Sequence, residues 1–245
     1  VFGGLYIPKD GQADPEILTK VIAQAAKQEG AKIIEKCQFK KIIKRNNQVR
    51  GIKTSLGEIK CEYIVLCAGM WSRQIGEAAG VSIPLYPNEH FYMITEDYKK
   101  LPKKLPTFRD PNTYLYIREY HKKLMIGIFE PNAKNAFKKK GKVPDNFSFG
   151  EFKVSNNYVK MLHKLAAKRI PDINNLNIEK YFSGPESFTP DTNYLLGETA
   201  EIKNFFVCCG FNSIGIGSAG GAGKATAEWM IKGHTVEDLF SLDVK

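Results

Sequence analysis

Residues Gly215-Ile216-Gly217-Ser218-Ala219-Gly220 follow the spacing G-x-G-x-x-G, between a strand-like run and a helical one. Glycines there let an anionic group approach the first backbone N–H groups of a helix, which carry about half a positive charge. The literal reading is the pyrophosphate site of a dinucleotide fold. That site needs a further parallel strand after the helix, bearing an acidic residue for the ribose. Only about a dozen residues follow the helical run, and none reads as a buried strand. A ring that becomes anionic on reduction suits the same amides, and reduced flavin, with charge along its N1–C2=O edge, is such a ring. The plainer alternative is that the glycines serve only tight helix–strand packing.

A second group of residues lies in β-rich sequence. His90 and Tyr92 stand two apart, as do Tyr116 and Arg118, so each pair shares one face of its strand. Imidazole titrates near neutrality, which suits His90 to proton transfer. Tyr116 offers a hydrogen bond, Tyr92 a pocket wall, and Arg118 a planar fork for a carboxylate. Each has an ordinary alternative: a satisfied strand histidine, strand aromatics, a surface ion pair. Asp97, Glu119 and Glu130 offer no paired-carboxylate spacing for hydrolysis, and Ser72 and Ser187 have no evident base partner or G-x-S-x-G setting.

Composition narrows the classes. The 245 residues are 43% hydrophobic, 11% aromatic and 25% charged, ordinary values for a globular protein. Net charge is +10, yet the basic residues are mostly lysine and scattered, which disfavours nucleic-acid recognition by arginine forks. Their densest run, Lys138-Lys139-Lys140 with Lys142, reads as a solvated loop. Five cysteines without a C-x-x-C pair point to a reducing compartment and no structural disulfide. No metal site is expected. No apolar run approaches the roughly 20 residues that span a bilayer. The chain opens Val1-Phe2-Gly3-Gly4 without Met, and reads as the middle of a longer protein.

The elements that must position these residues follow from period and punctuation. Gly3–Pro8 and Ala31–Glu35 read as strands, with a helix between them started by Asp14-Pro15-Glu16 and ended by Gly30. Phe39–Lys44 and Val49–Thr54 form a hairpin across Arg45-Asn46-Asn47-Gln48, extended by Glu58–Cys61. Tyr63–Ala68 reads as a buried parallel strand and Ser72–Ala79 as a helix. His90–Thr95, Tyr114–Arg118 and Lys123–Phe129 are β-rich. Val154–Arg169 is helical, Leu176–Phe182 a strand, and Gly184–Pro190 a fixed turn. Asn204–Cys209 is a strand, then a Gly-rich turn leads to a helix over Ala219–Ile231. The expected fold is mixed α/β: a partial Rossmann-like domain (1–85 and 191–245) with an inserted antiparallel β-rich domain (86–190).

The segments Gly3-Gly4-Leu5-Tyr6-Ile7-Pro8, Val65-Leu66-Cys67-Ala68-Gly69-Met70-Trp71-Ser72, Glu89-His90-Phe91-Tyr92, Arg109-Asp110-Pro111, Tyr114–Glu119, Gly127–Ala133, Gly184–Asp191 and Cys209–Gly215 together resemble the D-amino-acid-oxidase-like flavoprotein superfamily. The closest look is to its sarcosine and dimethylglycine dehydrogenase/oxidase group, and the resemblance runs in order along nearly the whole chain. It implies FAD as cofactor and oxidation of a secondary or tertiary amino acid, in the cytoplasm or the mitochondrial matrix. It matches His90 and Tyr116 to the group's active-site histidine and tyrosine. It sets Ala68, Gly69 and Trp71 against the flavin, although Trp71 also suits a core aromatic. Phe39 falls where relatives make a backbone contact on the adenine side, and Asn212, Ser213, Ile214, Gly215 and Ile216 match the loop at the isoalloxazine ring.

The resemblance also implies what would lie outside these residues. The first strand, the pyrophosphate glycines, the acidic ribose ligand and a histidine joined covalently to the flavin would precede Val1. A folate-binding region would follow Lys245. These residues alone are then expected to hold FAD weakly and to expose an apolar sheet edge. The alternative function is a non-catalytic FAD-binding or assembly subunit of a multi-chain amine oxidase.

Overall fold

The computed structural model describes residues 3–138, 141–235 and 237–245. Lys139 and Lys140 of the basic run, and Val1-Phe2, lie outside the described residues. The chain divides into two units, one of residues 3–14, 89–134 and 148–185, the other of Pro15–Asn88, Asn135–Phe147 and Glu186–Lys245.

In the second unit, asparagines set the hairpin. Asn46 and Asn47 both take φ of 52°, the left-handed pair of a two-residue turn whose twist matches its strands. The turn joins β1 (Phe39–Arg45) to β2 (Gln48–Thr54), and β3 (Gly57–Lys60) completes an antiparallel meander. A second sheet holds β4 (Ile64–Leu66), β10 (Leu195–Glu198) and β11 (Phe205–Cys209) in the order β10-β11-β4, with β11 parallel to β4. Val49, Leu66, Leu85, Phe205 and Val207 make one core cluster of this unit. Helix α4 (Gly215–Lys232) presses Trp229 edge-on against Phe206, with centroids 5.7 Å apart. Helix α2 (Ser72–Ala79) ends where Gly80 takes φ of 84°.

Helix α1 (Pro15–Gln28) forms as its spacing predicts, yet it buries no residue: Val21 is 60% and Ile22 54% exposed. The strands expected at Gly3–Pro8 and Ala31–Glu35 do not form. A strand needs a hydrogen-bonded neighbour, and neither run pairs with one among the described residues.

The first unit is built on a five-stranded antiparallel sheet ordered β6-β7-β8-β5-β9: β5 (Tyr86–Thr95), β6 (Phe108–Asp110), β7 (Leu115–Tyr120), β8 (Lys123–Ile128) and β9 (Ile178–Phe188). Strand alternation sorts its residues. Phe91, Met93, Leu115, Ile117, Ile126 and Ile128 form a core with Leu162 and Ala166 of α3 (Asn156–Ala166), and Phe91 stacks on Tyr158 at 4.3 Å. Ser155 caps α3 by accepting from Tyr158 N, so the helix starts two residues after Val154, and it ends at Ala166, three before Arg169. Buried Asp110 accepts from Thr113, Asn112 N and Arg169, which fixes the turn after β6.

Two further expectations are corrected. Gly184–Phe188 is strand rather than turn, because β9 is an edge strand and Pro185 sacrifices no ladder bond there. Helix α4 begins at Gly215, four residues before Ala219, so the Gly-rich segment is its first turn. The short strands β6 and β10 carried no readable period. The whole is a mixed α/β fold: a Rossmann-like helix and sheet core with an inserted antiparallel sheet. Ile126→Ala, which removes a fully buried side chain from β8, is expected to destabilise the protein by about 2–5 kcal/mol. A lower urea midpoint at unchanged slope is the readout.

Candidate active site

The face of the five-stranded sheet opposite α3 carries a row of functional side chains. Pairing sets Tyr92 against Gly127, Gly127 against Tyr116, and Tyr116 against Arg109. Residues directly opposed across a sheet share a face, so these four lie in one line over β5, β8, β7 and β6. His90, two residues before Tyr92, shares the face, as does Arg118, two after Tyr116.

Gly127 decides what the row can do. A Cβ there would stand 2.2 Å from both Cζ and Oη of Tyr116. With only hydrogen in that place, the Tyr116 ring lies across β8 and its hydroxyl comes within 3.0 Å of His90 Nε2. The two rings are nearly parallel, 9° apart with centroids at 5.7 Å. Phe129 stacks on His90 at 4.7 Å, and the Arg109 guanidinium lies 4.2 Å from the Phe129 centroid. Arg109 makes no ion pair with a carboxylate among the described residues. Tyr92 stacks on Phe182 of β9 at 4.6 Å. Arg118 donates to Gln12 Oε1 at 3.3 Å and sits 5.5 Å from the Tyr120 centroid.

The electrostatics of this face favour neutral groups. Burial, and after it the Arg109 charge, push the His90 imidazole down to about 4. It is therefore uncharged at neutral pH. Burial likewise raises the Tyr92 phenol and lowers Arg109. Phe129, Arg109 and Gly127 were not singled out from sequence: the row across four strands is a fact of pairing. Gly127 inside a strand run was the one local signal available.

The remaining candidates belong to the other unit. Phe39 is the first residue of β1 and half-buried. Ala68 and Gly69 (φ 52°) follow β4 and lead into a short 3-10 turn ending at Trp71, whose ring lies 6.4 Å from that of Phe147. The Asn212 side chain accepts from Thr189 N at 2.8 Å and donates to Gly210 O at 2.6 Å, so it secures the turn before α4. Ser213 Oγ donates to Glu186, a carboxyl raised by burial. At Ile214, Gly215 and Ile216, α4 starts with no side-chain cap and no acidic residue in its first turn. Ile214 and Ile216 are each 50% exposed, and a Cβ at Gly217 or Gly220 would meet open space.

Two outcomes are expected on the sheet face. Gly127→Ala displaces the Tyr116 ring, and a crystal structure of the variant shows its hydroxyl out of bonding distance from His90. The His90 imidazole titrates near pH 4 by NMR, and Arg109→Gln raises the midpoint but leaves it below about 6.5, because burial is the larger cause. Its folded pKa is depressed, so His90 adds full stability above about pH 6.5 and loses it as the pH falls toward 4.

Comparison with known proteins gives a consistent picture. The chain is 34% identical over 250 residues to mitochondrial sarcosine dehydrogenase of Mus musculus, covering 100% of this chain and 27% of that protein. It is 33% identical to the mitochondrial pyruvate dehydrogenase phosphatase regulatory subunit of Mus musculus, covering 99% of this chain and 28% of that one. Among solved structures, L-proline dehydrogenase from P. horikoshii superposes with a TM-score of 0.82 at 26% identity, over 97% of this chain and 60% of its own. The chain thus spans little more than a quarter of the two curated relatives. The family described as DAO, FAD dependent oxidoreductase, matches residues 1–229, and the chain belongs to it.

Proposed function

We propose that the chain is part of a flavoenzyme that oxidises N-methylated secondary or tertiary amino acids at the carbon next to nitrogen. The observation that carries this reading is the neutral His90–Tyr116 pair, 3.0 Å apart, on a sheet face shared with Tyr92, Arg109 and Phe129. We assign the unit built on the five-stranded sheet to the substrate and the other unit to the cofactor.

The residues present fit FAD. The first turn of α4 has no side-chain cap, no acidic residue of its own, and open space at Gly217 and Gly220 for a flat ring. Ser213, Ile214, Gly215 and Ile216 would hold the ring edge, with Asn212 securing their turn. Ala68, Gly69 and Trp71 would line the flavin, and Phe39 the adenine side. Bound FAD supplies the acceptor for hydride from the substrate.

The chain's own residues then have separable tasks. An amino acid reacts as the free amine, whereas an aliphatic ammonium ordinarily keeps its proton to about pH 10. The same burial and the same Arg109 charge that keep His90 neutral favour the uncharged amine there. An imidazole with a pKa of about 4 does not store a proton at neutral pH. We assign His90 and Tyr116 to hydrogen-bonding and aiming the amine, and Phe129 and Tyr92 to excluding water. Arg118 was the arginine expected to meet the substrate carboxylate. Arg109 suits that task better, because it stands in the Tyr116 row and has no carboxylate partner among the described residues.

A second reading, a non-catalytic FAD-binding subunit, is favoured by the 33% identity to a regulatory subunit. The test is anaerobic mixing of the full-length flavoprotein with sarcosine or dimethylglycine. Bleaching of the flavin bands is expected. His90→Asn and Tyr116→Phe are each expected to slow bleaching about 10- to 100-fold, the equivalent of one buried hydrogen bond. No bleaching with any secondary or tertiary amino acid would overturn the enzymatic reading in favour of the subunit.

A further inference from the structure

The parallel pairing of β11 with β4 runs Phe205↔Ile64, Phe206↔Val65, Val207↔Leu66. One step further along the same register stand Cys208 and Cys67, on the face that also carries Val65 and Phe206. That register places the two thiols side by side, and each shifts the ionisation of the other. Cys67 is exposed, while Cys208 is half-buried and packs against the cluster of Phe206, Ala222 and Trp229. Adjacent strands lie about 4.8 Å apart, inside the roughly 4.4–6.8 Å Cα separation that a disulfide bridges. The neighbouring Cys209 belongs to the opposite face and is buried, with its thiol pushed up to about 12 by burial, so it does not compete.

We propose that Cys67 and Cys208 form a cross-strand dithiol that small-molecule disulfides of the glutathione type oxidise reversibly to an intramolecular disulfide. The asymmetry of the pair assigns the order of steps. Cys67 is the nucleophile: the Cys208 thiol beside it holds it down to about 7, so about half is thiolate at neutral pH. Cys208 is the resolving thiol, kept protonated by the neighbouring Cys67 and by burial. The Cys67 thiolate attacks one sulfur of the small disulfide, forms a mixed disulfide and expels one thiolate. Cys208 then yields its proton to solvent, attacks the Cys67 sulfur and expels the second. Two protein thiols lose two electrons and two protons, and one small disulfide gains them to become two thiols. The product ties together the carboxyl ends of β4 and β11, from which Ala68-Gly69 and Gly210–Ser213 depart.

The pair differs from Cys37, which is half-buried and belongs to no strand. At pH 7 Cys67 is expected to react with iodoacetamide about 3-fold faster than an ordinary exposed thiol, its roughly 16-fold greater thiolate fraction being offset by lower intrinsic nucleophilicity. The test treats the full-length protein with oxidised glutathione, digests it without reduction, and reads the peptides by mass spectrometry. A peptide pair linked through Cys67 and Cys208, lighter by two hydrogens and separated by dithiothreitol, is the expected result. In Cys208→Ser a stable glutathione adduct should accumulate on Cys67; Cys67→Ser should leave Cys208 unmodified. An unreactive Cys67 in the wild-type protein, or a wild-type glutathione adduct that never passes to Cys208, would overturn the proposal without need of either variant.

Discussion

A tyrosine ring lying across a glycine organises the candidate substrate face. Tyr116 reaches His90 on β5 only because β8, the strand between β7 and β5, has no side chain at Gly127. Any larger residue would lift the ring and separate the pair. The cost is local, since glycine weakens a strand by conformational entropy and lost packing. It is tolerated because β8 is central in its sheet, with neighbours on both sides and Leu124, Ile126 and Ile128 buried against α3. The packed face thus supplies the stability that lets the other face carry a hole.

Charge on this face follows from the same geometry. His90, Tyr116 and Phe129 form a triangle of mutually touching rings, and the Arg109 guanidinium lies over the Phe129 ring. Removing the imidazole from water and leaving a guanidinium nearby both disfavour a second positive charge. The behaviour of the histidine is therefore set by two aromatic rings and one arginine, none adjacent to it in sequence. In the proposed function a histidine so placed orients rather than stores protons, and a bound amine meets the same bias toward its neutral form.

The second unit collects its candidate residues where strands end. Ala68 and Gly69 leave β4, the turn secured by Asn212 leaves β11, and α4 starts at Gly215. Parallel strands direct their carboxyl ends the same way, so these loops share one end of that sheet, the usual location of ligands in open α/β sheets. The Cys67–Cys208 register is a by-product of that parallel pairing.

Much of this was legible in order and type. Asn46-Asn47 dictated a hairpin because few other residues accept two left-handed conformations in succession. The spacing of Ile17, Val21 and Ile22 was enough for a helix, since 3.6 periodicity is local. Alternation put His90 with Tyr92 and Tyr116 with Arg118, because a strand turns its side chains every second residue. Beyond such hairpin neighbours, local signals could not say what a strand pairs with. That is why Gly3–Pro8 and Ala31–Glu35 read as strands and are not, and why Pro185 read as a turn and sits on an edge strand. By itself the sequence determined most of the helices and the longer strands, the strand faces and the family to which the chain belongs. Only the tertiary structure decided that Arg109, Tyr116, Gly127 and Tyr92 form one row, and that Cys67 meets Cys208, because register is settled by hydrogen bonds between segments far apart in the chain.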